Sequence, residues 1–253
     1  MTSFRPKLWT GVSAAVLIST GALVACSPPS SAPKATAESP ATPAVATSAA
    51  ALAGAGESGE TGAVSAYSAI PADSVNALHI AHLRGFVLVA MAQKDGPEAA
   101  AILVAQGMLE AYEKSPEPFK AAGVDETLLR KAAETGAAGD LKAALSTLDA
   151  GLAKAGGDRK AVIRGLLEIS SGLYKGVVVD GGVDPIEYQH SLGAALSARA
   201  ALVDAAKSDP SLAAAKPEMD RFVALWPTPS APEKPAAHGA LLAQASRIEL
   251  ALS

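Results

Sequence analysis

Two short stretches hold the residues of this chain whose types and spacing are best suited to chemistry. His79 and His82 stand three positions apart in an apolar stretch, and Glu187 and His190 repeat that spacing further along the chain. Residues three apart share one face of a helix, so each pair presents its side chains together. Helical bundles build metal sites from such pairs, and Glu-x-x-His is a recurrent unit of carboxylate–histidine sites.

An internal repeat connects the two stretches. One constant offset along the sequence aligns rare residues as well as common ones. At this offset His82 falls on His190, Gly85 on Gly193, Leu88 on Leu196 and Ala90 on Ala198, while His79 falls on Glu187. We therefore predict an internal duplication whose two helices pack face to face, with the glycines allowing a close approach. The alternative is two ordinary amphipathic helices that share Ala and Leu.

The combined residues predict a transition-metal site. Three imidazoles and one carboxylate suit iron, zinc or copper, whereas calcium and magnesium prefer oxygen ligands. A turn near residues 95–96 adds a second carboxylate, because it places Glu110 level with the first histidine pair. We expect the metal, iron first, to be bound by His79, His82, Glu187, His190 and Glu110.

Three other interpretations stay open. Heme is one, with His79 or His82 and His190 as axial ligands. In another, the histidines belong to the core and the protein has a structural or interaction role. Glu187 is also the third residue of its predicted helix, where a carboxylate often bonds back to the cap or interacts favourably with the helix dipole. His238 has no partner nearby and is interpreted as a solvated helix residue.

The elements around these stretches predict an all-α fold. The chain is rich in Ala and Leu and nearly without alternating β-branched runs. Helices are expected over residues 73–93, 97–114, 125–135, 140–154, 158–179 and 184–207, then up to Trp226 with an interruption at Pro217, and over 233–252. Val177-Val178-Val179 is interpreted as a frayed helix end. The result is a bundle of about eight helices, in which two pseudo-symmetric hairpins, 73–114 and 184–226, bracket a middle segment.

The N-terminal residues predict a lipoprotein. Residues 1–25 combine a positive start with an apolar run and are typical of a signal peptide. The run ends in Leu23-Val24-Ala25-Cys26, which matches a lipobox, so we expect cleavage before Cys26 and attachment of acyl chains such as palmitate to it. Residues 26–70 are expected to form a disordered Ala/Ser/Pro-rich tether, and 71–253 the helical domain. The serine after the cysteine favours the outer membrane, with the domain facing the periplasm.

Composition excludes several classes of function. The net charge is -4 and aromatic residues make up 4% of the chain, which argues against nucleic-acid binding. A single cysteine excludes a disulfide within the chain. No H-E-x-x-H helix or phosphate-binding loop occurs, so an enzymatic activity is not predicted and is left open.

A lipidated, Ala-rich, all-helical chain with two related halves resembles the imelysin-like family. That family has a G-x-H-x-x-E motif, where this chain has Ala77, His79 and His82. The carboxylate–histidine pair occurs here in the reverse order, as Glu187-x-x-His190. The resemblance implies a periplasmic or outer-membrane protein linked to iron or heme acquisition, working with a metal or heme transport system.

Overall fold

The structure is a computed structural model that describes residues 60–253. The predicted signal peptide, the lipidation of Cys26 and most of the predicted tether lie outside the described residues.

The described residues form a helical bundle, which confirms the predicted all-α class. Ten α-helices follow one another: α1 (Glu60–Ala69), α2 (Val75–Ala92), α3 (Pro97–Gly107), α4 (Glu117–Ala121), α5 (Glu126–Thr135), α6 (Ala138–Ala155), α7 (Arg159–Tyr174), α8 (Pro185–Ser208), α9 (Lys216–Val223) and α10 (His238–Ala251). A π-helical segment, Met108–Tyr112, continues α3, and 3₁₀ turns cover Ala72–Ser74 and Pro210–Ala215. Two short strands, β1 (Val178–Val179) and β2 (Gly182–Val183), lie between α7 and α8.

Aspartates fix the start of three helices. Asp125 accepts a hydrogen bond from the Thr127 amide at 2.9 Å, and Asp158 accepts one from the Lys160 amide at 2.8 Å. Asp184 caps α8 in the same way. Each carboxylate satisfies amides of the first turn that have no partner within the helix, so these starts could be read from the sequence.

Helix α2 lies at the centre of the bundle. It packs against α3, α6, α7 and α8, and its Leu78, Ile80 and Leu83 are fully buried. The stretch Ala72–Ala92 is long and apolar enough to cross a membrane, but 67% of its most apolar 18-residue window is buried inside the fold, as in the core helix of a globular domain.

Helices α7 and α8 are joined by buried serines. The Ser170 hydroxyl donates to the Ser191 carbonyl at 2.9 Å, and the Ser191 hydroxyl donates to the Ser170 carbonyl at 2.7 Å. Both side chains are fully buried. These two small polar residues therefore let the helix backbones approach while both of their hydroxyls keep a partner.

The described residues contain ten α-helices where eight were predicted, and the two additional helices are α1 and α4. Residues 60–69, at the end of the segment assigned to the tether, form α1, which packs against α7 and buries Ala66. The short helix α4 forms in the proline-containing break after the first hairpin, with Pro116 at its N-cap and Pro118 as its second residue. Proline is tolerated there because the first amides of a helix have no acceptor within it.

The prediction that 177–179 is a frayed helix end was wrong. Val178 and Val179 pair antiparallel with Val183 and Gly182 in a two-residue hairpin. Its turn residues, Asp180 and Gly181, both have positive φ, as this tight turn requires. The last helix also begins later than expected, at His238, because a proline at position 235 interrupts the preceding residues.

Candidate functional site: a buried histidine cluster

The two repeated helices cross at their matched glycines. A Cβ on Gly85 would lie 2.5 Å from the Gly193 carbonyl oxygen, so the backbones of α2 and α8 are in direct contact there. On one side of the crossing the Ser197 hydroxyl donates to the Ala81 carbonyl at 2.6 Å, and on the other Phe86 packs against His190. A residue before Gly85 in α2 thus contacts a residue after Gly193 in α8, and a residue after Gly85 contacts one before Gly193. The two helices are therefore antiparallel.

This direction decides where the histidines lie. His82 and His190 each precede their glycine by three residues, so they lie on opposite sides of the crossing, roughly 9 Å apart along the helix axes. The Phe86 ring lies between them, with centroid distances of 5.4 Å to His82 and 4.7 Å to His190. Gly107 of α3 makes room for that ring, since a Cβ there would lie 2.5 Å from Phe86 Cγ.

Tyr67 of α1 joins the first histidine pair. Its hydroxyl lies 2.9 Å from His82 Nδ1, and its ring stacks on His79 with a centroid distance of 4.1 Å. Burial, followed by the negative charge of Glu110, raises the pKa of Tyr67, so the phenol keeps its proton. The tyrosine therefore contacts Nδ1 of His82 and does not contact Nε2 of the same ring.

The second histidine lies between two oxygens. His190 Nε2 is 3.3 Å from Gln106 Oε1, and His190 Nδ1 is 3.4 Å from Glu110 Oε1. The π-helical segment carries Glu110, and π-helical turns often occur at functional sites. A neutral imidazole has one N–H, so as assigned it can donate to only one of the two oxygens, and its second nitrogen turns a lone pair towards the other.

Burial keeps all three histidines neutral at physiological pH. Burial lowers the pKa of His79 to about 4, and it lowers the pKa of His190 to about 4 against the opposing effect of Asp184. The pKa of His82 falls to about 3, chiefly through burial and then through positive charge at His190, His79 and Lys114. Neutral imidazoles carry the lone pair that a metal ion requires.

Glu187 lies against the residues that follow α7. Its side chain is buried and lies against Gly176, where a Cβ would come within 3.3 Å of Glu187 Cδ. Its amide donates to the capping Asp184 at 3.2 Å. Glu187 shares a helix face with His190, as its spacing predicts.

Two buried nitrogens of the cluster have no hydrogen-bond partner among the described residues. These are His79 Nδ1 and His82 Nε2. A buried polar atom without a hydrogen-bond partner is rare, and the lone pair of a neutral imidazole nitrogen is suited to binding a metal ion. In residues 60–253, however, no group of three or more His, Cys, Asp or Glu side chains is close enough to hold a metal ion as the side chains stand.

The structure therefore brings some of the predicted ligands together and separates others. His79 and His82 share Tyr67, while His190 and Glu110 form a second pair beyond Phe86. The hairpin argument placed Glu110 level with the first histidine pair. In the structure Glu110 lies 3.4 Å from His190 of α8, and its charge also acts on Tyr67, which contacts both histidines of the first pair.

Three residues of the cluster were missed from sequence. Tyr67 lies in the segment that was assigned to the tether. Tyr67 and Ile70 are two large side chains three residues apart in an otherwise small-residue stretch, and this spacing could have indicated a helix. Gln106 stands one helical turn before Glu110 and could have been found from that spacing. Phe86 carries no polar signal.

His238 lies apart from the cluster. Its Nε2 lies 3.0 Å from the Ser171 carbonyl oxygen, so the interpretation of this residue as a histidine without a partner was wrong.

Two cavities open on the surface beside the cluster's helices. One has a volume of about 630 Å³ and the other about 490 Å³. Neither is lined by His79, His82 or His190. His82 and His190 are buried, and His79 is half-buried.

No family model, curated protein or solved structure matches the chain.

Proposed function

We propose that the helical domain binds a single transition metal ion, iron first and zinc or copper next, at the histidine cluster. The observation that supports this is a pair of neutral imidazoles, of the half-buried His79 and the buried His82, whose buried nitrogens His79 Nδ1 and His82 Nε2 have no partner in residues 60–253. Leaving one such group without a partner costs about 1–3 kcal/mol, and an ion bound there would remove that cost.

Tyr67 fits the role of an outer partner to a metal ligand. If His82 Nδ1 carries the proton and donates it to the Tyr67 oxygen, His82 Nε2 presents its lone pair to the ion. Ligating histidines regularly use their second nitrogen in this way, which fixes the ring orientation. The 2.9 Å contact between the two groups supplies that support.

The His190–Glu110 pair fits the same proposal. Two donor atoms bound tetrahedrally to zinc at about 2.0–2.2 Å lie about 3.4 Å from each other, and His190 Nδ1 lies 3.4 Å from Glu110 Oε1. Binding by all predicted ligands requires the two pairs to move towards each other around Phe86. Glu187 lies one turn before His190 on the same face of α8 and would complete the set.

In the cell, this site would serve metal uptake or handling at the bacterial envelope. Lipidation of Cys26 would anchor the domain at the outer membrane on the periplasmic side, and a metal transport system would be its partner. An enzymatic role is not part of the proposal, because the cluster has no general base other than its proposed ligands.

The test is a metal titration of the full chain carrying Cys26→Ser, stripped with a chelator. We expect one Fe(II), Zn(II) or Co(II) ion to bind per chain. The double variant His82→Ala, His190→Ala should lose binding, whereas His238→Ala, the matched control outside the cluster, should retain it. Equal binding by the double variant and the control would refute the site. A Soret band on heme addition, lost in the double variant, would assign heme instead.

A further inference from the structure

The larger surface cavity, of about 630 Å³, lies away from the histidine cluster. Residues from α2, α6, α7 and α8 line it, and its volume falls in the range of small-molecule sites. The interior surface is largely aliphatic, with Ala77, Ala81, Leu152, Val162 and Ala201. A ligand body without charge would fit against these side chains.

A nine-tenths buried arginine stands in this cavity. The side chain of Arg84 is 9% exposed, and its Nε donates to Asp149 at 2.6 Å. Within the described residues, Nε is the one guanidinium nitrogen that donates a hydrogen bond, so the terminal nitrogens remain available. A guanidinium presents these nitrogens in a fork that matches the two oxygens of a carboxylate.

Cations outnumber carboxylates around the cavity. Asp149 pairs with Arg84, and Asp204 pairs with Lys207 at 2.7 Å. Arg159 also lines the cavity, and the described part of the chain gives it no carboxylate within ion-pair distance. The excess of positive charge favours an anion at this end of the cavity.

We propose that this cavity is a second binding site, for a small organic carboxylate with an aliphatic body. The carboxylate meets the terminal nitrogens of Arg84, with Arg159 adding charge at the rim, and the aliphatic body lies on the alanines of α2 and α8. This site goes beyond the metal proposal and does not depend on it, because none of the proposed metal ligands lines the cavity.

Calorimetry of the full chain carrying Cys26→Ser tests the proposal, with octanoate as the probe. Octanol, which has the same tail without charge, and octylammonium, which has the opposite charge, are the comparison ligands. We expect octanoate to bind at one molecule per chain, and neither comparison ligand to compete with it. Saturable binding of octylammonium, or octanol binding as tight as octanoate, would overturn the proposal, as would no saturable binding of octanoate.

Matched variants locate the site. Arg84→Gln should weaken octanoate binding about tenfold or more, since a hydrogen bond to a charged group is lost. The control is Arg199→Gln: Arg199 donates to Asp220 through Nε at 2.7 Å but lies outside this cavity. An equal loss in the control would refute the assignment.

Two further variants decide the matter if Arg84→Gln fails to fold. Arg159→Gln changes an exposed side chain at the rim and should weaken binding, while Ala201→Phe fills the cavity and should prevent binding. Octanoate binding unchanged in both of these folded variants would overturn the proposal.

Discussion

The glycine crossing gives the sharpest prediction about the fold. A Cβ on Gly85 would lie 2.5 Å from the Gly193 carbonyl oxygen and 2.6 Å from its carbonyl carbon, and both are backbone atoms of α8. Ordinary contacts begin near 3.4 Å, so Gly85→Ala must separate α2 from α8 by roughly 1 Å in a closely packed core. Such overpacking costs about 1–3 kcal/mol, and the better helix propensity of Ala returns up to about 1 kcal/mol. We expect a net loss of about 1–2 kcal/mol.

Glycine-to-alanine substitutions at Gly85, Gly193 and Gly139 should differ in how much stability they cost. At Gly193 the nearest atoms to an added Cβ are 3.0 Å away, so Gly193→Ala should cost less than Gly85→Ala. Gly139 of α6 has nothing within 4 Å, so Gly139→Ala should be neutral or stabilising by up to about 1 kcal/mol.

Urea unfolding followed by circular dichroism measures the three free energies of unfolding. The reasoning would be refuted if Gly85→Ala were as stable as Gly139→Ala, because the α2–α8 backbones would then not be in contact.

Three further predictions concern the buried polar groups. Tyr67→Phe removes the hydroxyl from His82 Nδ1 and should lower the free energy of unfolding by about 1–3 kcal/mol and metal affinity about tenfold or more, measured by urea unfolding and metal titration. Ser191→Ala should cost about 0.5–1.5 kcal/mol through its lost α7–α8 hydrogen bond, while the exposed Ser246→Ala should change stability by less than about 0.5 kcal/mol in the same assay. The clustered histidines have folded pKa values of about 3 to 4, below the unfolded value of 6.5, so the unfolded chain binds more protons in that window. The free energy of unfolding should therefore be highest above pH 6.5 and fall towards pH 4, by about 1.4 kcal/mol per pH unit for each histidine. The variant His82→Gln should show a shallower fall. A free energy of unfolding that rises on acidification would contradict the burial of the histidines.

Several helix starts and turns of the fold can be predicted from neighbouring residues alone. The starts of the helices at Asp125, Asp158 and Asp184 follow from side chains that bond to amides two residues away, so sequence alone predicts them. The hairpin at Asp180-Gly181 also follows a local rule, because Asp-Gly favours a two-residue turn between strands, so the sequence alone could have predicted it. It was missed because a valine triplet after a long helix was interpreted as part of that helix.

The repeat predicted contact but not direction. Gly85 and Gly193 do meet, because only residues without a side chain let two helices come this close. His82 and His190 each lie three residues before their glycine, so they would meet only if α2 and α8 were parallel. The two helices are antiparallel. The offset therefore identified the crossing, whereas the separation of His82 from His190 depended on tertiary packing.

The missing members of the cluster depended on packing as well. Tyr67 comes from α1, which packs against α7 and has a composition similar to that of the residues before it, so its sequence alone did not predict a helix. Phe86 enters the cluster through the room left by Gly107, a contact between residues that no periodicity connects.

The most direct test of the central claim is the metal content of the protein isolated from its own cells without chelators. Elemental analysis should find one transition metal ion per chain, and X-ray absorption at that metal's edge should show nitrogen and oxygen ligands at about 2.0–2.2 Å, with the scattering pattern of imidazole. The metal should be absent from the His82→Ala, His190→Ala variant isolated in the same way. A chain that carries no metal, or a variant that carries as much as the unsubstituted chain, would contradict the proposal.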